Sequence, residues 1–279
     1  MSYQTLMVHL QLGHPNIAVL NAAKQIAQRC HAAVIGIIVG QQTLMIYGQG
    51  YQLIDFFDRE QTILEEKIAT EKALFEAAFK DHDKPVDWLS TVTMEPAVDY
   101  VVAHASRVDL IITGATPSDF YEGPNYANAG GIVMQSGRPV LAVPVNAQAP
   151  KAEFKFNTML IGWKESREAK RAIVDAIPLL QLATQVIVFE IVSKDNQESA
   201  AERLNDVVIW LKSHGIAAKA EVSVATDTDA AQFIAIAKKY EADVVITGAY
   251  GHSRFREWVL GGITNELLQN ANFNSFLSH

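Results

Sequence analysis

The sequence predicts an α/β protein of two doubly wound units in tandem, each a mainly parallel sheet covered by helices, and three observations carry that prediction. The first is length: 279 residues exceed what one core commonly holds, and at about 150 residues per domain there is room for two. The second is an internal repeat. Thr5-Leu6-Met7-Val8-His9-Leu10 is echoed by Thr158-Met159-Leu160-Ile161-Gly162-Trp163, and Asp109-Leu110-Ile111-Ile112-Thr113-Gly114-Ala115 returns as Asp243-Val244-Val245-Ile246-Thr247-Gly248-Ala249, five of seven positions identical. The third is alternation: continuous β-branched runs such as 33–39 and 185–192 are followed by longer amphipathic segments, the pattern of parallel strands buried on both faces.

The elements follow in order. Strand 5–10 leads into a helix over 16–29, then strand 33–39. Residues 40–54, with Met45, Ile46, Tyr47, Tyr51 and three glycines, have no counterpart in the second half and read as a loop packed on its own domain or as a partner contact. Helices are expected over 55–80 and 97–106, then the repeated strand from Asp109. Gly130-Gly131 reads as a turn or helix start, and Val140-Leu141-Ala142-Val143-Pro144 closes the first half. Small residues and Pro150 interrupt periodicity over 146–151 and read as a linker, which puts the domains at 1–147 and 153–279. The second half repeats the order with helices over 166–180, 199–214 and 230–240, the strand from Asp243, and a short helix over 265–270.

Hydrophobic residues at 49% and charged residues at 19% describe a folded chain with a sizeable core. Both halves are acidic, with 9 basic against 15 acidic residues in 1–150 and 14 against 16 in 151–279, for a formal charge of -8. That field repels polyanions and argues against a nucleic-acid partner. Cys30 is alone, which fits a reducing compartment. No run reaches the ~18 apolar residues of a membrane span and no basic, then apolar, leader opens the chain, so a cytoplasmic protein without a membrane partner is expected.

The chemistry-bearing signal follows the second copy of the repeat. In a doubly wound sheet ligands sit beyond the carboxyl ends of the strands, where glycines and a helix N-terminus meet phosphate. Here Thr247-Gly248-Ala249-Tyr250-Gly251 is followed nine residues later by Gly261-Gly262-Ile263-Thr264. This spacing resembles the signature of the universal stress protein family, in which such glycines surround ATP phosphates. The resemblance extends over nearly the full chain as a tandem pair, through Asp243 to Arg254, the closing Phe276-Leu277-Ser278-His279, and Ser136 to Pro144 at the end of the first half. It implies two five-stranded, adenine nucleotide alpha hydrolase-like units paired through their last strands. It also implies that Gly248, Gly251 and Gly261 contact phosphate, that Gly262 stands where a hydroxyl residue is usual, that Thr264 donates a hydroxyl, and that Thr247, Tyr250 and Ile263 line the nucleotide. Arg254 is a candidate phosphate contact, though a solvated loop face is the commoner use of such a charge. Thr247 can equally only end a strand, and Tyr250 only cover it.

The chain departs from the family after the first strand of each unit, where nucleotide-binding members carry Asp and this sequence has Gln11 and Lys164. Lys164 attracts an anion or is a solvated loop lysine. In the first half Pro117 takes the place of the second glycine and offers no N–H, so that site reads as degenerate. The eight histidines lack metal-ligand spacing, and no nucleophile elbow or P-loop occurs. His252 lies inside the glycine motif and reads as a surface turn residue; Trp163 and Trp258 read as core more readily than as adenine platforms. Three functions follow: a non-enzymatic stress-response protein binding ATP or another adenine nucleotide weakly in its second half, a ligand-free scaffold for an unidentified protein partner, or a slow ATP hydrolase using Asp243 or Glu257, neither well placed. Pairing of the halves within one chain leaves monomer and homodimer open.

Overall fold

The structure, a computed structural model, describes residues 2–42, 52–115, 127–145, 154–249 and 273–279, with side chains of α2 from Phe57 onward. The first half runs β1 (Thr5–Leu10), α1 (Ile17–Cys30), β2 (Ala33–Gln41), α2 (Gln52–Ala78), β3 (Val86–Thr93), α3 (Ala97–His104), β4 (Leu110–Ala115), α4 (Ala129–Ser136) and β5 (Val140–Pro144). The second runs β6 (Thr158–Gly162), α5 (Arg167–Leu180), β7 (Gln185–Val192), α6 (Gln197–Ser213), β8 (Ala218–Val224), α7 (Asp229–Lys239), β9 (Val244–Gly248) and β10 (Asn274–Ser278). The strands form one ten-stranded sheet in the order β3-β2-β1-β4-β5-β10-β9-β6-β7-β8. Each half is parallel throughout, and the halves meet where β5 pairs with β10 antiparallel, Ala142 opposite Ser275.

This is the two-unit α/β architecture expected, with the units fused into a single sheet by their last strands. Because successive strand residues point to opposite faces, the core splits by parity. Leu6, Val8, Leu10, Met159 and Ile161 join α1, α2, α5 and α6 in one apolar cluster that runs through both halves. Met7 and Ile111 pack with α3 and α4 on the other face, where Leu160, Ile187 and Val245 meet α7.

Gly130-Gly131 lies in the first turn of α4, whose N-cap Asn128 accepts a hydrogen bond from the Gly131 N–H at 2.8 Å; it is a helix start. Two elements that period alone did not mark, β3 and β8, occupy the sheet's outer edges. Their residues are half-exposed and carry charges, so they lack the apolar run that announces a central strand. The linker expected over 146–151, most of the unpaired segment 40–54 and the short helix over 265–270 lie outside the described residues. No helix among the described residues is long and apolar enough to cross a membrane.

Candidate functional site

The carboxyl end of the second half is built by a short turn. The ladder continues past β6 as the Trp163 N–H donates to Phe189 O at 2.8 Å. Four residues, Trp163 to Ser166, then reach α5. The Ser166 N–H donates to Lys164 O at 2.7 Å, and Ser166 Oγ accepts from the Ala169 N–H at 3.2 Å, capping the helix. So short a connection drops the first turn of α5 onto the end of β9. A Cβ built on Gly248 would lie 2.6 Å from both Ala169 N and Glu168 C, backbone atoms with no room to yield. Gly248 is therefore required by helix packing, and that packing sets it beside a helix N-terminus, where unpaired N–H groups favour anions. Beyond Gly248, the Ala249 N–H donates to Ser278 O at 2.7 Å, and His279 Nδ1 lies 3.0 Å from Ala249 O. The chain leaving β9 is thus tied to the end of β10.

Of the residues expected to hold a nucleotide, the structure places Thr247 and Gly248. Thr247 is buried, its hydroxyl donating to Gly248 O at 3.2 Å, and by strand alternation its side chain lies on the face away from α5. Tyr250, Gly251, Arg254, Gly261, Gly262, Ile263 and Thr264 lie outside the described residues, as do His252, Glu257 and Trp258. Lys164 is exposed on the turn and Trp163 is buried in the core.

Asp243 needs correction as a candidate for phosphoryl chemistry. It precedes β9 at the amino end of the strand, opposite Gly248, and its Oδ2 accepts from the Asn157 and Thr158 N–H groups at 2.9 and 3.0 Å. Asp109 does the same for Gln4 and Thr5, at 2.6 and 3.0 Å. The repeated aspartate fastens the start of each half's first strand. Its presence in both copies, one without the glycine motif, was the sequence signal for a structural role.

The first half's carboxyl end is filled by its own side chains. His9 on β1 is buried, with Nδ1 2.8 Å from the Thr113 hydroxyl on β4. Burial lowers its pKa to about 4, so the ring is neutral at pH 7. Asn16 knits the β1–α1 loop: its Oδ1 accepts from the Gln11 N–H at 3.0 Å, and its Nδ2 donates to Gln11 O at 3.0 Å and Glu71 Oε2 at 2.9 Å. A Cβ on Gly114 would meet the Gln11 side-chain oxygen at 2.6 Å. A search for histidine ligand spacing passes over His9; the signal was a histidine in an otherwise apolar strand whose repeat carries Gly162. Among the described residues no three His, Cys, Asp or Glu side chains are grouped as metal ligands.

Residues 155–274 match the universal stress protein family. Among solved structures, a universal stress protein from Archaeoglobus fulgidus DSM 4304 superposes with a TM-score of 0.75 at 13% identity, covering 98% of this chain and 95% of that one. A functionally unknown protein from Pseudomonas aeruginosa PAO1 gives 0.61 at 12% identity, covering 99% and 92%. At such identity the likeness is one of fold, and it extends over both halves. No curated protein matches the chain by sequence.

Proposed function

We propose, from the match of residues 155–274 to the universal stress protein family, that the chain is a non-enzymatic stress-response protein whose second half binds an adenine nucleotide weakly. The observation that carries the reading is Gly248, lodged at the end of β9 against the first turn of α5, as the first glycine of a Gly248–Gly251–Gly261 series with phosphate-loop spacing. Backbone N–H groups at such a turn and at the α5 N-terminus suit phosphate oxygens. Weakness follows from Lys164, exposed where a carboxylate would accept from a ribose. It follows also from Glu168 in the first turn of α5, whose charge opposes phosphate. Asp243, one of the two candidates for hydrolysis, is bound to the start of β6 at the other end of the strand, which favours binding over hydrolysis. The chain's domains divide between 147 and 153.

The first half supports a scaffold role, because His9, Gln11 and Asn16 occupy the place a ligand would need. Two measurements test the assignment. Mass spectrometry of small molecules released from freshly purified protein should find an adenine nucleotide. Calorimetric titration with ATP and magnesium should give saturable heat that Gly251→Trp abolishes. No released nucleotide and no heat up to millimolar ATP would leave the whole chain a ligand-free scaffold.

A further inference from the structure

On the face carrying α5 and α6, away from Thr247, a cavity of about 400 Å³ opens between the two helices. Its walls are Ile173 and Val174 of α5, Val207 and Trp210 of α6, and Trp163 at the end of β6. Val174 is 51% and Trp210 36% exposed, so apolar surface stands open to solvent in a concave site of ligand size. Two donors in this lining are unmatched. Trp163 Nε1 and Arg203 Nε are buried without a hydrogen-bond partner among the described residues, a costly state for an N–H. Either donor meets a ligand only through rotation of its indole or guanidinium, a step that belongs to the binding proposed here.

We propose that this cavity is a second binding site, for a small uncharged aromatic molecule with a hydrogen-bond acceptor, such as a carbonyl oxygen, on one edge. The apolar walls and two indoles take the ring, and the orphaned donors take the acceptor. Charge decides against ionic ligands. Arg203 donates to Glu190 Oε1 at 2.9 Å, and Lys170 pairs with Glu165, so each cation of the lining is already neutralised. Asp206 on the rim repels an anion. An ammonium group would leave both unmatched N–H groups unmatched. The site is independent of the nucleotide reading, since Gly248 and the glycine series take no part in it.

Acetophenone and ethylbenzene differ in the carbonyl and are the matched pair to titrate into the full chain. Binding is read from the indole N–H resonances of its four tryptophans, with Trp163 assigned from Trp163→Phe. Acetophenone should saturate and move the Trp163 indole N–H. Ethylbenzene should bind about tenfold more weakly, the weight of one hydrogen bond, and leave that resonance in place. Trp163→Phe should bring acetophenone down to the ethylbenzene affinity. Should that core variant fail to fold, Val174→Asp at the exposed rim should abolish binding of both. Equal affinity for the pair, tighter binding of benzylamine or benzoate, or no saturable shift of Trp163 or Trp210 would overturn the proposal.

Discussion

The two halves share a backbone plan and differ at matching positions in ways that keep volume and change chemistry. His9 of β1 corresponds to Gly162 of β6. A Cβ on Gly162 would lie 2.3 Å from the Phe233 ring of α7, whereas α3, on the same face of the first half, buries only the smaller Ala97, Val98 and Val101. One half fills the space from the strand, the other from the helix. The same exchange recurs between the outer strands. Gly36 pairs with Trp88 in one half, where Val188 pairs with Ala220 in the other. Close packing explains the reciprocity, because a change of a few methylenes on one element must be absorbed by its neighbour. Connection length differs too: six residues, Gln11 to Asn16, separate β1 from α1, against four between β6 and α5. The longer loop folds its own side chains over the strand end; the shorter one brings a helix N-terminus there. A duplicated fold can thus keep every strand and still finish the two strand ends differently.

The largest expected effect breaks this comparison by pH. His9 has a folded pKa of about 4 because it is buried, against about 6.5 in an unfolded chain. Below pH 6.5 the unfolded state takes up the proton first, so stability is whole above that pH and is lost as pH falls toward 4. The loss attributable to His9 is about 3 kcal/mol at about 1.4 kcal/mol per pH unit. Denaturant unfolding at pH 7 and pH 4 should show the wild type losing that much more than His9→Gln. Equal losses would mean that the ring is not held neutral in the fold.

The sequence marks His9 only as the one polar side chain inside an apolar run and hides its partner Thr113, whereas most of the fold was legible. The helices over 16–29, 166–180 and 230–240 fall within two residues of α1, α5 and α7 at each end, because buried faces impose a 3.6-residue period that any reader of the pattern recovers. Edge strands β3 and β8 escape that logic, since one side of each has no neighbouring strand. The candidate site was half legible. Glycine spacing marks Gly248, but two independent pressures select glycine there, and only the 2.6 Å approach of the α5 backbone reveals the second. Pairings across the sheet, such as His9 with Thr113 or Asp243 with the start of β6, join residues about a hundred positions apart and have no local signature.

Substituting the two equivalent glycines sharpens the comparison with a smaller effect. Gly248→Ala forces its Cβ against the backbone of Glu168 and Ala169, and should cost about 2 kcal/mol, within the usual range for overpacking. Gly114→Ala meets first the end of the Gln11 side chain, which can swing aside, and should cost less than about 1 kcal/mol. Thermal unfolding of both variants at one pH checks the difference. Similar costs would show that α5 can lift off β9 as easily as Gln11 turns.

A shared device should behave alike in the two halves. Asp109 and Asp243 each accept two backbone N–H bonds at a strand start, so Asp109→Ala and Asp243→Ala should each cost about 1.5 kcal/mol, in keeping with hydrogen bonds to a charged acceptor. Equality of the two costs is the sharper half of this prediction, since it separates the common frame from the divergent ends. A much larger loss for Asp243, or a loss of nucleotide heat with stability intact, would return that residue to the ligand site.

The smallest effect concerns how each half starts its first helix. Ser166 caps α5 through the Ala169 N–H, and Asn16, at the same place before α1, makes no side-chain cap bond and spends its amide on Gln11 and Glu71. Ser166→Ala should therefore cost about 1 kcal/mol, the ordinary value of a cap. Ser166→Asp should restore the cap, because a carboxylate accepts the same bond and is favoured by the helix dipole. That added negative charge would then stand beside Gly248, where phosphate is proposed to sit. If the α5 N-terminus takes part in holding the nucleotide, Ser166→Asp regains stability while weakening ATP in the titration; if ATP heat is unchanged, the helix end serves packing alone and the glycine series binds without it.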